Sequence, residues 1–156
     1  DQFPLEFSEP GATFITLTIG NNLRGCIGSL EPHRPLAFDI SANAFRAGFK
    51  DPRFPPLSSD EYDGLHLSIS LLSPQSPIHF VSEREFMEQL RPNIDGLVIA
   101  DGRHRALFLP SGWSQLPTTS IFVERLKQKA GLEKNHWSEN FQAWRFITVS
   151  ISSDDL

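Results

Sequence analysis

One cysteine stands in the 156 residues, so no disulfide can close within the chain. That removes the stapled extracellular scaffold as a fold class. No apolar run approaches the roughly 18–20 residues that cross a bilayer. The opening residues show no basic region, apolar stretch and small-residue cleavage site in succession, so no secretory signal is expected. Positive charge is also short: 14 Lys and Arg stand against 19 Asp and Glu, a net charge of −5. General nucleic-acid binders carry a basic stripe, and that class drops out. There is no P-loop, no dinucleotide glycine fingerprint and no nucleophile elbow. The histidines at 33, 66, 79, 104 and 136 fall in no zinc-ligand spacing, and no metal site is expected. His66 and His79, on adjacent predicted strands, could share a polar face, but a pair without a carboxylate or thiol makes a poor metal site.

What is present suits an ordinary globular protein, with 39% hydrophobic and 21% charged residues. The length fits one domain over 1–156, able to bury a real core and to divide into two lobes. A cytoplasmic location is the default, with no membrane and no nucleic acid among its partners. The chain starts at Asp1 without an initiator methionine, so a trimmed or processed piece is expected. Ten of the 14 basic residues are arginine, the side chain suited to bidentate binding of carboxylates and phosphates. Surface ion pairing accounts for most of them.

Residues 13–19, Thr-Phe-Ile-Thr-Leu-Thr-Ile, read as a strand, and Gly20 to Asn22 supply a turn into a second strand over 23–29. Pro35 opens a helix running to about Lys50, with Leu36, Phe38, Ile40, Ala44, Ala47 and Phe49 as apolar surface. Three prolines in Asp51 to Pro56 force an extended loop. Ser58 and Glu61 have capping-box spacing before an alternating strand at Leu65–Leu71. A short strand is expected at Ile78–Val81, and Ser82 and Glu85 repeat the capping box before a helix through Leu90. Gly96–Ala100 and Arg105–Leu109 flank Asp101-Gly102 as a hairpin. A turn of helix at Trp113–Leu116, a full helix over Thr118–Ala130 stopped by Gly131, and one long strand at Phe141–Ile151 complete the chain. Ile121, Phe122, Leu126 and Ala130 share a face of that helix. Hairpins interspersed with helices favour an α+β fold with mainly antiparallel pairing. Pro74–Pro77 is the nearest thing to a lobe boundary.

The chemical lead is Leu23 to Gly28, Leu-Arg-Gly-Cys-Ile-Gly. Arg24 stands two positions before Cys26, so strand alternation puts both on one face, where a cation favours the reactive thiolate. Cys26 is therefore a candidate catalytic residue, against the plainer reading of a small buried side chain. Arg24, with Gly25 and Gly28 exposing backbone N–H groups, is a candidate anion site; otherwise it pairs with Glu31 or Asp39. Arg53 is a second anion-binding candidate, with Asp51 orienting it or capping the loop. Asn43 is a candidate for ligand contact, a solvated helix position or a bond to a neighbouring loop being the plainer reading.

Three segments, Leu23–Gly28 with Ser29-Leu30-Glu31-Pro32, then Asp51–Pro56, then Asp95-Gly96 through Phe108-Leu109-Pro110, together resemble the AMMECR family. In prokaryotes it is known as protein A of the AmmeMemoRadiSam system. The resemblance runs from about Thr13 to Ile151, with Arg-Gly-Cys-Ile-Gly as the signature and Asp-x-Arg-Phe-Pro-Pro as the second landmark. It implies two unequal lobes, each on a mainly antiparallel sheet, helices mostly on the larger lobe, and a cleft between them as a possible active site. No reaction or cofactor is established for the family. Its genes travel with Memo-type and radical-SAM proteins, which implies those as partners. The family usually has a helical segment before the first strand, where this chain has only a short proline-containing stretch before Gly11.

Two functions follow from different classes. In one, the Arg–Cys site acts on or binds an anionic small molecule or modified side chain. In the other, the protein is a non-catalytic adaptor whose arginines and aromatics dock a partner.

Overall fold

The β-branched run near the start becomes an interior strand. In the computed structural model, which describes residues 6–155, β1 (Ala12–Ile19) pairs antiparallel with β2 (Asn22–Gly28) and with β3 (Leu65–Leu72). Gly20, at φ 62°, begins the tight turn between the first two, a backbone region where a glycine is unstrained. With β8 (Thr148–Ser152) the sheet order is β2-β1-β3-β8, which leaves β2 at an edge.

Alternation along β1 sends Ile15 and Leu17 to one face, where they pack with Ala47 of α1 (Leu36–Phe49). Leu57, Leu65, Leu67 and Ile69 close around that cluster. The helix has no side-chain cap, and Pro35 occupies the N-cap position, one residue ahead of the expected first turn. Its first free donors go to the preceding chain instead: Leu36 N–H donates to Glu9 O at 2.8 Å and Ala37 N–H to Phe7 O at 3.1 Å. The apolar residues of α1 divide. Leu36 and Ala47 are buried, whereas Phe38, Phe45 and Phe49 stand exposed.

A second unit spans Pro74–Thr148, while the first is completed by Val149 onward. Its sheet has the order β4-β7-β5-β6, formed by β4 (Ser76–Pro77), β7 (Gln142–Phe146), β5 (Gly96–Asp101) and β6 (His104–Phe108). All three pairings are antiparallel. Two helices, α2 (Glu83–Glu88) and α3 (Thr119–Lys129), begin at Ser82 and Thr118, whose hydroxyls accept from Glu85 N and Ile121 N. The core joins Phe86, Leu97, Ile99, Phe122 and Leu126 to Trp113, which stacks on Phe122 with ring centroids 3.8 Å apart.

Several expectations shift. The strand placed at 78–81 is instead the two-residue β4 just before it, and Phe80 packs against Phe86 and Trp137. The single long strand at 141–151 is two strands in different sheets, parted at Ile147, where the adjacent apolar pair Phe146-Ile147 also breaks the alternation. Val123 replaces Ile121 on the buried face of α3, with Ile121 40% exposed. The α+β class with two antiparallel sheets holds; among the described residues α1 belongs to the first unit and α2 and α3 to the second. Among the described residues no helix is long and apolar enough to cross a membrane.

Candidate functional site

The signature hexapeptide is β2 with a bulge in it. Leu17 pairs with Gly25 and Thr18 with Leu23, so Arg24 has no partner across the hairpin. One extra residue breaks the alternation that would have placed Arg24 and Cys26 on a common face. Cys26 lies opposite Thr16, its Sγ 3.5 Å from the Thr16 hydroxyl, and is partly exposed. Arg24 goes elsewhere.

The Arg24 guanidinium is buried against the loop and the 3₁₀ turn at Ser59–Gly64. Its Nε donates to Glu61 Oε2 at 2.6 Å, and its Nη2 donates to Glu61 Oε1 at 3.0 Å and to Pro55 O at 2.7 Å. Asp39 pairs with Arg34 instead, at 2.8 Å. These bonds, Arg24 first, hold the Glu61 carboxyl down at about 2. Glu61 also accepts from Ser58 N at 3.0 Å, so the capping-box residue carries the ion pair as well. The sequence pattern reveals only the first of those two tasks.

Arg53, not Arg24, is the cation beside Cys26. Asp51 is almost fully buried and takes the edge of β2 in hand: Cys26 N–H donates to Asp51 Oδ2 at 3.0 Å. Arg53 Nη2 donates to the same oxygen at 2.7 Å and to Cys26 O at 3.3 Å, while its Nε donates to Asp51 Oδ1 at 3.0 Å. The outward N–H and C=O of Cys26, which an edge strand would leave open, are thus both occupied. The Arg53 bonds, aided by Cys26 N–H, hold the Asp51 carboxyl well below the usual range against the opposing push of burial. In return Asp51 raises Arg53, with a smaller electrostatic contribution from Cys26. Despite this anchoring, 55% of the Arg53 side chain stays exposed. Phe54 neighbours both cations, its ring centroid 5.5 Å from Arg53 Cζ and 5.8 Å from Arg24 Cζ.

Gly25 and Gly28 serve close packing. A Cβ on Gly25 would run into the carbonyl oxygen of Ala47 in α1, and one on Gly28 into the ring of Phe14. Asn43 is fully buried. Its amide donates to Thr13 O, Thr13 Oγ1, Ser29 Oγ and Asp39 Oδ2, all at 3.1–3.2 Å. Asp39, beside it, is pushed up by burial, but bonds from Ser29, Thr13 and Arg34 outweigh this and keep it below the ordinary range. This network ties α1 to β1 and to the end of β2. The candidates thus separate into a partly exposed pair, Cys26 and Arg53, and supports beneath it.

None of the hydrogen bonds to Cys26 comes from a histidine. His66 sits on β3 and bonds to Asp154 at 3.1 Å, whereas His79 belongs to the second unit. Among the described residues no group of three His, Cys, Asp or Glu is placed to hold a metal ion.

The AMMECR1 profile matches residues 1–151. The chain belongs to the AMMECR1 family. Within reach of that family, protein MJ0810 of Methanocaldococcus jannaschii is 34% identical over 94% of this chain and 75% of its own length. A Thermotoga maritima protein is 35% identical over 90% of this chain and 76% of its own length. In structure, the uncharacterized protein PH0010 from Pyrococcus horikoshii superposes with a TM-score of 0.87 at 29% identity, covering 96% of this chain and 76% of that one. The family's fold is therefore this chain's fold. A thiol on a fixed strand next to an exposed guanidinium can serve as a nucleophile or covalent attachment point for a ligand that carries negative charge.

Proposed function

We propose that Cys26 and Arg53 form a small site that acts on or binds an anionic small molecule or a modified, negatively charged side chain. The supporting observation is the division of labour at β2. Asp51 and Arg53 occupy the main-chain groups of Cys26, which fixes the thiol's backbone, while most of the Arg53 side chain remains in solvent. Arg53 anchors charge, Cys26 is the reacting or attaching group, and Asp51 orients Arg53. Arg24, Gly25, Gly28 and Asn43 shape the support: Arg24 pins the proline-rich loop through Pro55 and Glu61, the glycines admit α1 and Phe14, and Asn43 locks the hairpin to the helix. In this reading the protein is one component of a cytoplasmic pathway shared with Memo-type and radical-SAM proteins. Replacing the chromosomal copy by Cys26→Ser in the native host tests it. Loss of the pathway with a folded, partner-competent protein is the expected result, and wild-type function of the serine variant would sink it.

A second reading, an adaptor, has its own observation. Phe38, Phe45 and Phe49 project from α1 with exposures of 68%, 55% and 43%, and Tyr62 nearby is 76% exposed. Such aromatic residues are the usual anchors of a docking surface. Here Phe45→Ser would abolish capture of a Memo-type protein while Cys26→Ser would leave it intact.

A further inference from the structure

The second unit holds a cavity of about 650 Å³ that the Cys26 site does not use. Its size falls in the range of small-molecule sites. The walls carry the aromatic rings of Phe80, Trp137 and Trp144, and Val81 at the rim is 90% exposed. Two carboxylates, Glu85 and Glu139, also line it, and no lysine or arginine does. Among the described residues nothing bonds to either carboxylate. Of the lining residues only His79 could add positive charge.

We propose that this cavity binds an organic cation, an ammonium or guanidinium head with an apolar arm. Aromatic faces attract such heads through their quadrupole, and the two carboxylates, which stand at exposed positions, add charge complementarity. An anionic ligand would meet two carboxylates and no fixed cation. A neutral apolar ligand would draw nothing from the two carboxylates. The same rings already hold cations from within the chain: Lys127 Nζ lies 5.9 Å from the Trp137 ring centroid, and Arg105 Cζ lies 5.4 Å from that of Trp144. Neither of those side chains lines the cavity. Lys127 is neutralised by Glu83 at 3.0 Å, so its charge does not oppose a second cation strongly.

The test is a titration of the whole protein with choline and, in parallel, with 3,3-dimethylbutan-1-ol, its uncharged isostere, followed by the indole N–H signals in NMR. Choline should shift Trp137 and Trp144 in a saturable way and leave the buried Trp113 unmoved. The isostere should bind at least about tenfold more weakly, the loss expected when a cation–π contact and its counter-charge are removed. A Glu85→Gln/Glu139→Gln double variant, altered only at exposed positions, should lose choline affinity by at least a similar factor. A third arm uses the peptide acetyl-Gly-Arg-Gly-amide: tighter binding than choline assigns the cation to a peptide side chain, weaker binding to a free small molecule. Absence of saturable shifts with both cations overturns the proposal. So does equal binding of the isostere, or unchanged choline affinity in the double variant.

Discussion

Removing the Asp51 carboxylate should loosen the whole Cys26 edge, and the size of the effect can be worked out bond by bond. Asp51→Ala strands Cys26 N–H and Arg53 N–H, which now donate to it at 3.0 and 3.1 Å, and unpairs the Arg53 guanidinium. A hydrogen bond to a charged acceptor contributes about 1.5–3 kcal/mol. The guanidinium pair is discounted to about 0–1 kcal/mol because the Arg53 side chain is 55% exposed. Cys26 N–H dominates, and the alanine variant should lose about 3 kcal/mol. Asp51→Asn keeps an acceptor and loses the charge, for a cost of about 1.5 kcal/mol. In urea, with m near 1.5 kcal/mol/M, the alanine midpoint should fall by about 2 M. The pH dependence has a definite sign. Asp51 is depressed in the fold, so its stabilisation is complete above its unfolded value near 3.9 and is lost as pH falls from there toward the lower folded value. Below pH ~4 the wild type should therefore destabilise more steeply than Asp51→Asn. An alanine variant within about 0.5 kcal/mol of wild type, or parallel acid limbs, would refute this account of the β2 edge.

Gly25→Ala should cost about 3 kcal/mol or more, since the new methyl meets backbone of α1 rather than a movable side chain; thermal unfolding reads this directly. Gly28→Ala should also destabilise, because the new methyl meets Cγ of Phe14, an atom that rotation of the ring does not move. Asn43→Ala should destabilise by about 2–4 kcal/mol by stranding Thr13, Ser29 and Asp39 in a buried site, measurable in the same urea series.

Much of the scaffold is written locally in the chain. The alternation of Leu65, Leu67 and Ile69, the caps at Ser82 and Thr118, and the turn glycines Gly20, Gly102 and Gly131 each act over a few residues, and all three glycines adopt positive φ. What lies beyond local pattern was less legible. The bulge at Arg24 arises from how β2 registers with β1, which the hexapeptide alone does not encode, and it hands the place beside the thiol from Arg24 to Arg53. Glu61 read as a helix cap because its spacing from Ser58 is a three-residue signal, while its ion pair with Arg24 spans 37 positions. Asn43 in sequence is open between ligand contact, a solvated position and a bond to a neighbouring loop; its burial depends on Thr13 and Ser29 arriving from other elements. The switch of sheets at Ile147 leaves only a faint mark, the adjacent apolar pair Phe146-Ile147 at which the alternation changes phase.

The central claim is that Cys26 is an accessible thiol served by the Arg53 charge, and its most direct test is alkylation of the folded protein at neutral pH. Iodoacetate and iodoacetamide deliver the same carbon with and without a negative charge. The account predicts labelling without denaturant, a rate ratio favouring iodoacetate relative to a free thiol, and loss of that preference in Arg53→Gln. No labelling until the protein unfolds, or a ratio that Arg53→Gln leaves unchanged, would contradict it.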